Sequence, residues 1–219
     1  MQANPVVDPL LDALWDRGLI LIGDRVRQEY ALNTPIFIDL RHKLYEHLET
    51  LSALGTALHR RIAEIATPGQ PQQVIGIPDT ATPIALATAL ASHRTGSPIA
   101  YGQLRKKPAN YPGGRSGGSS YMGQIDPARE ITLIDDVMAS GRTKQWSIKT
   151  LAEEGLKVAR ILVVVDREQG GDEILEAEGC PVHCLYRVTG LSDYYEAAGR
   201  LDAATAQAAR EHVRKRRFD

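Results

Sequence analysis

The sequence lacks several features that would place it in a familiar functional class. It contains only two cysteines, Cys180 and Cys184, too few for a disulfide framework or a cysteine-based metal site. Its formal net charge of -1 provides no overall basic field for nucleic acid. Neither a Walker-type glycine–lysine loop nor a GxGxxG run occurs, which argues against nucleoside triphosphate and dinucleotide binding.

Membrane association is not expected either. The sequence has no apolar run long enough to span a bilayer and no N-terminal signal with a charged start and an apolar centre. Its 219 residues, 43% of them hydrophobic, suffice for one well-buried domain with an accessory lobe. We therefore expect a cytoplasmic protein in which both cysteines are reduced thiols of the core.

Short apolar runs alternate with amphipathic segments along most of the chain. Strands are predicted at residues 19–22, 35–39, 74–77, 99–104, 131–134, 158–165 and 182–188. Helices are predicted at residues 8–17, 41–66, 84–91, 142–155 and 172–178, and from residue 202 onward. This alternation predicts an α/β fold with a mostly parallel sheet and helices on both faces.

The pattern predicts a small N-terminal part, a core, and one long loop within the core. Residues 1–40 cannot join the alternation, and we predict that they form a small hood over a core of residues 41–219. Within the core, the helix at 84–91 is apolar nearly all round, so we expect it to be buried. The segment 107–123 is rich in Gly, Ser and Pro. A loop of that length is usually functional, and we interpret it as a lid.

The segment of residues 131–143, ITLIDDVMASGRT, carries the clearest chemical signal. The predicted strand ends at Asp135 and Asp136, a turn spans residues 137–141, and a helix begins near Arg142. Backbone N–H groups at such a turn converge on one point, where the helix dipole adds partial positive charge. Carboxylates accept hydrogen bonds from sugar hydroxyls and can hold a hydrated divalent cation. A phosphorylated sugar suits this combination; the alternative is an ordinary strand–helix joint with a solvated acid pair.

Two other predicted strands also end in polar turns. One is followed by Pro78, Asp79 and Thr80, and the other by Asp166 and Arg167. Ligands of parallel sheets bind beyond the carboxyl ends of the strands. We therefore predict that the three turns meet in one site at the same edge of the sheet.

Several separated segments follow one another in a family-specific order: TPIFIDLR (34–41), VIGIPDTATP (74–83), LRKK (104–107), the signature at 131–143, and EEGLKV with VVVDREQGG (153–171). Together they resemble the orotate phosphoribosyltransferases, which are type I phosphoribosyltransferases. The resemblance implies a Rossmann-like core with a small hood, and a homodimer that shares loop residues across its interface. It also implies Mg²⁺-assisted transfer of a phosphoribosyl group from phosphoribosyl pyrophosphate (PRPP) to orotate, with release of pyrophosphate.

The resemblance further implies roles for individual residues. Asp135 and Asp136 would bind the ribose hydroxyls and, through water, a Mg²⁺ ion that is held mainly by PRPP. The 5′-phosphate would be held by the turn, that is, by Ala139, Ser140, Gly141, Arg142 and Thr143. Asp135 and Asp136, together with Lys106 and Lys107, are the candidate catalytic residues.

Pyrophosphate and base would be held by other segments. Pro78, Asp79 and Thr80 would form the pyrophosphate loop, and Arg105 and Lys106 would reach pyrophosphate across the dimer interface. The base would contact Phe37, Ile38 and Arg167, the last pairing with its carboxylate. Two alternatives remain open: Arg167 could be a surface ion-pair partner of Glu168, and residues 105–107 could be a solvated charge run.

Several positions depart from the family pattern, including residues 110–112, Asn-Tyr-Pro, where an Asp-His-Gly or Asp-Tyr-Gly element is expected. Ala109 stands where a catalytic loop lysine is expected, and Glu29 where a base-contacting lysine is expected. Asp79 replaces a tyrosine and Ala139 a threonine. Glu29 and Asp79 would add negative charge near a carboxylated base, repelling it by on the order of 1 kcal/mol each.

Three functions are compatible with these departures. The first is an orotate enzyme with a rewired lid, in which Lys107 or Arg115 replaces the loop lysine. Another is a phosphoribosyltransferase for a different base. The third is a non-catalytic PRPP-binding protein that acts as a sensor or partner-binding module. No DNA-binding helix pair is predicted beside the domain, which argues against a transcriptional sensor.

Overall fold

A computed structural model of the protein describes residues 7–105 and 120–215. In chain order the strands are β1 (Ile20–Ile22), β2 (Ile36–Ile38), β3 (Gln72–Gly76), β4 (Ala100–Leu104), β5 (Tyr121–Met122), β6 (Glu130–Met138), β7 (Val158–Asp166) and β8 (Val182–Arg187). The helices are α1 (Pro9–Asp16), α2 (Asp24–Tyr30), α3 (Leu48–Ile65), α4 (Ala81–Arg94), α5 (Arg142–Glu153), α6 (Gly171–Ala177), α7 (Val188–Ala197) and α8 (Ala203–Lys215), with a 3-10 helix at Lys43–Glu46. None of these described helices is long and apolar enough to cross a membrane.

Six strands form one sheet in the order β5-β4-β3-β6-β7-β8. All neighbours in this sheet are parallel except β5, which is antiparallel to β4. The chain leaves β3 toward β4 in one direction and later leaves β6 toward β7 in the other. β3 and β6 therefore form the switch point of a doubly wound sheet, where the carboxyl ends of the strands open a crevice. The predicted α/β fold with a mostly parallel sheet is confirmed.

Both faces of the sheet are buried because its central strands are apolar on both sides. On one face, Ile134 and Leu162 join a cluster with side chains of α1, α3 and α4. On the other face, Leu133 and Val163 pack with Leu151 of α5. Successive strand residues point to opposite faces, and each fully buried side chain of this size contributes roughly 1.5–3 kcal/mol. This double burial holds the carboxyl ends of β6 and β7 in fixed positions.

A second, smaller unit lies outside the six-stranded sheet. β1 and β2 pair antiparallel, with Leu21 opposite Phe37. The C-terminal helices pack against this N-terminal unit. The Tyr195 hydroxyl of α7 donates to the Leu11 carbonyl of α1 at 2.9 Å, and the rings of Trp15 and Tyr195 lie 4.6 Å apart. Both ends of the chain therefore contribute to the structure around β1 and β2.

The signature strand is longer than the sequence predicts. β6 continues through Asp135 and Asp136 to Met138 because β7 runs beside it as far as the pairing of Met138 with Asp166. This ladder pairs backbone groups that a turn would leave exposed, and it outweighs the low strand propensity of aspartate. The predicted helix start near Arg142 is confirmed.

Other predictions were wrong in detail. The helix predicted at residues 41–66 begins at Leu48, because the preceding residues form the 3-10 helix. α4 is not buried all round: only one side of it meets the sheet and α3, and Leu86 and Leu90 are 43% and 52% exposed. Tyr121 and Met122 pair with the edge strand β4 instead of lying in a loop. The sequence analysis also does not predict α2 or α7.

Candidate active site

A cavity of about 580 Å³ opens at the carboxyl ends of β3, β6 and β7. The three polar turns that the sequence places at this edge all contribute to it. The cavity brings together these predicted site residues: Phe37, Ile38, Pro78, Thr80, Asp135, Asp136, Ala139, Ser140, Gly141, Arg142, Thr143 and Arg167. Side chains of the segment around β2 therefore face the same space as the turn after β6.

The turn after β6 depends on two glycines. Gly141 has a φ of 76°, in the left-handed region that other residues rarely adopt, and it directly precedes α5. A Cβ on Gly171 of α6 would overlap the Ala139 carbonyl and lie 2.8 Å from the Gly141 nitrogen. Gly171 thus lets α6 pack directly on the turn. No side chain caps the first N–H groups of α5, so this helix end can receive an anion.

The two adjacent carboxylates of β6 have different surroundings. Asp135 is 6% exposed; its Oδ1 accepts a hydrogen bond from the Asp136 backbone at 2.9 Å, and its Oδ2 lies 2.5 Å from Lys144 Nζ. Burial raises the pKa of the Asp135 carboxyl above its ordinary value, and the Lys144 ammonium opposes that rise. Asp136 is half-buried, and its described hydrogen bond uses one oxygen, Oδ1, which accepts from the Val137 backbone at 2.8 Å.

The sequence analysis does not single out Lys144, although the sequence holds a signal for it. Lys144 lies seven residues before Leu151, and both belong to the buried side of α5. A lysine at a core-facing position, in the first turn of a helix where the dipole disfavours a cation, needs a nearby carboxylate. The Asp135–Asp136 pair is the nearest acidic group in the motif.

The segment after β2 adds basic residues that are not singled out from the sequence. Arg41 and His42 line the cavity. Arg41 Nε donates to Thr80 Oγ1 at 3.2 Å, which ties this segment to the turn after β3. Asp39 is 2% exposed and accepts hydrogen bonds from the His42 backbone at 3.0 Å and from the Tyr30 hydroxyl. The loop after β3 is thus held from the N-terminal side of the cavity.

The chain is similar in sequence to several orotate phosphoribosyltransferases, although no protein-family model matches it. The orotate phosphoribosyltransferase of Methanoculleus marisnigri is 30% identical over 189 residues, which are 86% of this chain and 99% of that protein. The chain belongs to the orotate phosphoribosyltransferase family. The orotate phosphoribosyltransferase of Aquifex aeolicus is 29% identical over 155 residues, covering 71% of this chain and 80% of that protein. A crystal structure of the Francisella tularensis orotate phosphoribosyltransferase has a TM-score of 0.75 at 16% identity, covering 96% of this chain and 100% of that chain; this likeness concerns the fold alone.

Two of the residues that depart from the family pattern do not line the cavity, although Asp79 lies between Pro78 and Thr80, which do. Glu29 and Asp79 are exposed, and neither is among the described residues that line the cavity. Glu29 forms an ion pair with Lys43, so its charge is offset outside the site. The prediction that both carboxylates face the base is therefore not supported for Glu29, whereas Asp79 lies at the exposed rim of the loop after β3. Ala139, in contrast, lines the cavity as expected.

Arg167 lies where the family resemblance expects a base-binding cation. It lines the cavity, and its backbone N–H donates to the Met138 carbonyl at 3.0 Å. The neighbouring Glu168 carboxylate accepts hydrogen bonds from the backbone and hydroxyl of Thr189, at 2.8 and 2.9 Å. These contacts favour the cavity for Arg167 over the alternative of a surface ion pair with Glu168.

Arg105 is the one predicted pyrophosphate-binding cation of the LRKK segment that the described residues include. Arg105 follows β4, is exposed, and is not among the described residues lining the cavity. Its backbone N–H donates to the Ser120 carbonyl at 2.9 Å. Lys106 and Lys107, like Ala109, lie outside the described residues. Their roles therefore stay predictions.

Proposed function

We propose that the protein transfers the phosphoribosyl group of PRPP to orotate, forming orotidine 5′-phosphate and pyrophosphate. One observation carries this proposal. The uncapped first turn of α5, the Asp136 carboxylate and the Arg167 side chain face one cavity, which therefore offers partners for a phosphate, a sugar and an anionic base. Family membership provides independent support.

The sugar phosphate would occupy the side of the cavity formed by β6 and α5. The backbone N–H groups from Ala139 to Thr143 would bind the 5′-phosphate, with the partial positive charge of the helix end. Asp136 would accept hydrogen bonds from the ribose hydroxyls. These contacts would fix the anomeric carbon in front of the base, and such positioning accounts for much of the rate in a two-substrate reaction.

The base would occupy the side of the cavity nearest β2. Phe37 and Ile38 line that region and would contact the plane of the pyrimidine ring. Arg167 would pair with the carboxylate of orotate, since a guanidinium can bind a carboxylate through two parallel hydrogen bonds. Glu29 is paired with Lys43 and Asp79 is exposed, so Lys43 and water would weaken the repulsion of a carboxylated base by these two residues.

Pyrophosphate would leave past the loop after β3. Bond breaking at the anomeric carbon produces an oxocarbenium-like ribose and a highly charged leaving group, and stabilising this charge is the main catalytic task. Thr80 and the adjacent Arg41 line this part of the cavity. We propose Arg41, with Arg105, Lys106 and Lys107, as the groups that neutralise the departing pyrophosphate.

Mg²⁺ fits this site as an ion that arrives with PRPP. Among the described residues, no group of three or more His, Cys, Asp or Glu side chains could hold a metal alone. Asp136 keeps one carboxylate oxygen outside its described hydrogen bond, and this oxygen could accept a water of an ion that the phosphates hold. When bound, such an ion supplies positive charge to the leaving pyrophosphate.

We also propose how the chain is organised around this reaction. Residues 1–40 would form the hood, residues 41–219 the core, and the part of the predicted lid that precedes β5 would exclude water. We propose a homodimer in which lid residues reach the partner's site. Exposed Leu86 and Leu90 on α4 support an interface, and two free cysteines support a cytoplasmic location.

The proposal is tested by mixing the protein with PRPP, Mg²⁺ and orotate and following the loss of orotate absorbance. We expect turnover that depends on all three additions. Tight PRPP binding without turnover would instead indicate another base or a non-catalytic PRPP-binding protein. A screen of other bases for pyrophosphate release would then distinguish these two.

A further inference from the structure

Lys144 has surroundings that are uncommon for a lysine. It lies in the first turn of α5, where the helix dipole disfavours a cation, and its side chain is only 6% exposed. The Asp135 side chain beside it is 8% exposed. Burying either charge alone is strongly unfavourable, so each group is accommodated because the other is present.

The ion pair of Lys144 and Asp135 gives Asp135 and Asp136 different contacts. Lys144 Nζ lies 2.5 Å from Asp135 Oδ2 and donates to the Val137 carbonyl at 2.5 Å. Asp135 Oδ1 accepts from the Asp136 backbone. Both oxygens of Asp135 are therefore engaged inside the protein, whereas Asp136 uses one oxygen internally.

We propose that Lys144 is a positioning residue of the phosphoribosyl site: it holds Asp135 in an internal ion pair and leaves Asp136 as the carboxylate that accepts the sugar hydroxyls. This inference rests on the proposed function, since it concerns how PRPP is bound. Lys144 also offsets one of two adjacent negative charges in a cavity that must receive a highly anionic ligand. Without it, Asp135 would repel the phosphates across a medium that screens charge less than water does.

The protonation of Asp135 provides a specific signature of this role. The other charged and titratable groups that line the cavity are Asp136 on β6, Arg142 on α5, and Asp39, Arg41, His42 and Arg167 beyond the ends of β2 and β7. Burial raises the pKa of Asp135, Lys144 opposes the rise, and the adjacent Asp136 carboxylate adds to it. Replacing Lys144 with Met removes the opposing charge, so the pKa should rise further. The carboxyl would then be neutral at low pH and become an uncompensated anion as the pH rises.

The experiment is calorimetric titration of the full chain with PRPP and Mg²⁺ from about pH 6 to about pH 9, the range in which a buried carboxyl can titrate. Four proteins are compared: wild type, Lys144→Met, the double variant Lys144→Met with Asp135→Asn, and Lys149→Met. Lys149 lies on the exposed side of the same helix and serves as the matched control. Thermal unfolding of each protein shows whether it is folded.

We expect Lys144→Met to weaken PRPP binding by about 10- to 100-fold at the upper end of the range. The loss should shrink as the pH falls, because protonation removes the charge of Asp135. The double variant should recover most of the affinity and lose the additional pH dependence that Lys144→Met shows relative to wild type. Lys149→Met should bind as wild type does.

Wild-type affinity and pH dependence in Lys144→Met would overturn the inference while leaving the proposed function intact. A folded double variant that binds as weakly as Lys144→Met would also overturn it, because Lys144 would then act on the ligand and not through Asp135. If Lys144→Met does not fold, the double variant is compared with wild type alone, and PRPP binding close to that of wild type supports the inference. Absence of PRPP binding by the wild-type chain would overturn the proposed function itself, and the inference with it.

Discussion

Glu130 and Asp135 lie toward opposite ends of β6, and each forms an ion pair with a buried cation. Glu130 lies 2.7 Å from Arg160, and its carboxylate also accepts hydrogen bonds from Thr67 and Gln72. Burial alone would raise the pKa of Glu130, but the hydrogen bonds from Thr67, Arg160 and Gln72 outweigh it and lower the pKa to about 2. The hydrogen-bonding capacity of this carboxylate is used within the protein.

The Asp135 end of the strand is less completely satisfied. Its described partners are the Lys144 ammonium and the Asp136 backbone, and burial raises its pKa in spite of the cation. A paired cation is common to both ends, so the direction of the pKa shift depends on the depth of burial, the number of hydrogen bonds and, at Asp135, the adjacent Asp136 carboxylate. At the end of β6 that faces the cavity, Asp136 can still accept hydrogen bonds from a ligand. At the other end, the Glu130 carboxylate is occupied by partners within the protein.

The largest effect that tests this comparison is expected from Asp136→Asn. The change keeps the size of the side chain but replaces an anionic acceptor with a weaker, neutral one. We expect PRPP affinity to fall by about 100-fold or more, with little change in the midpoint of thermal unfolding. Calorimetric titration with PRPP and Mg²⁺ measures the first quantity, and circular dichroism the second.

Asp126→Asn is the matched control for that variant. Asp126 precedes β6 at the opposite edge of the sheet, and its side chain is 46% exposed beside Arg129. This substitution should leave PRPP affinity within about twofold of wild type. Equal affinities of wild type and Asp136→Asn would contradict the assignment of Asp136 to the sugar hydroxyls.

The strand, turn and helix at this end of β6 are largely predictable from the sequence. The partners of the charged side chains are not. The local order of residues predicts a strand that leads through Asp135 and Asp136 into a turn and a helix start near Arg142, as observed, because neighbouring residues largely determine such a joint. The burial of Lys144 depends on how α5 packs on the sheet, and the direction of Glu29 depends on its pairing with Lys43. Residue spacing places Lys144 on the same side of α5 as Leu151, but the partners of Lys144 and Glu29 are set by tertiary packing.

At the Glu130 end of β6, a substitution should lower stability and leave PRPP affinity unchanged, the reverse of what we expect for Asp136→Asn. Glu130→Gln removes the charge that compensates Arg160, whose side chain is 8% exposed. We expect the free energy of unfolding to fall by about 2 kcal/mol, with PRPP affinity unchanged. Chemical denaturation measures the first quantity. Glu153→Gln, on the exposed side of α5, is the control, and a loss of PRPP affinity in Glu130→Gln would contradict a purely structural role.

The same carboxylate predicts a smaller, pH-dependent effect. The pKa of Glu130 is about 2 in the folded protein against an ordinary 4.5, so the folded state prefers the ionised form. The stabilisation is present above the ordinary pKa and is lost as the pH falls through the folded pKa. Between pH 7 and pH 4 the advantage of wild type over Glu130→Gln should therefore shrink by about 1 kcal/mol. Denaturation at both pH values measures this; an advantage that grows on acidification would contradict it.

A carboxylate outside the sheet should produce the smallest effect. Glu29 pairs with Lys43 at the surface, and both side chains are about one third exposed, at 33% and 29%. Because water screens this pair and Glu29 is not among the described residues lining the cavity, Glu29→Gln should change kcat/KM for orotate by less than about twofold. Steady-state kinetics measures this, with Asp24→Asn on the exposed side of α2 as control. A gain of tenfold or more in Glu29→Gln alone would mean that this carboxylate acts on the base during turnover, and that β6 does not hold all the acidic groups that matter to the site.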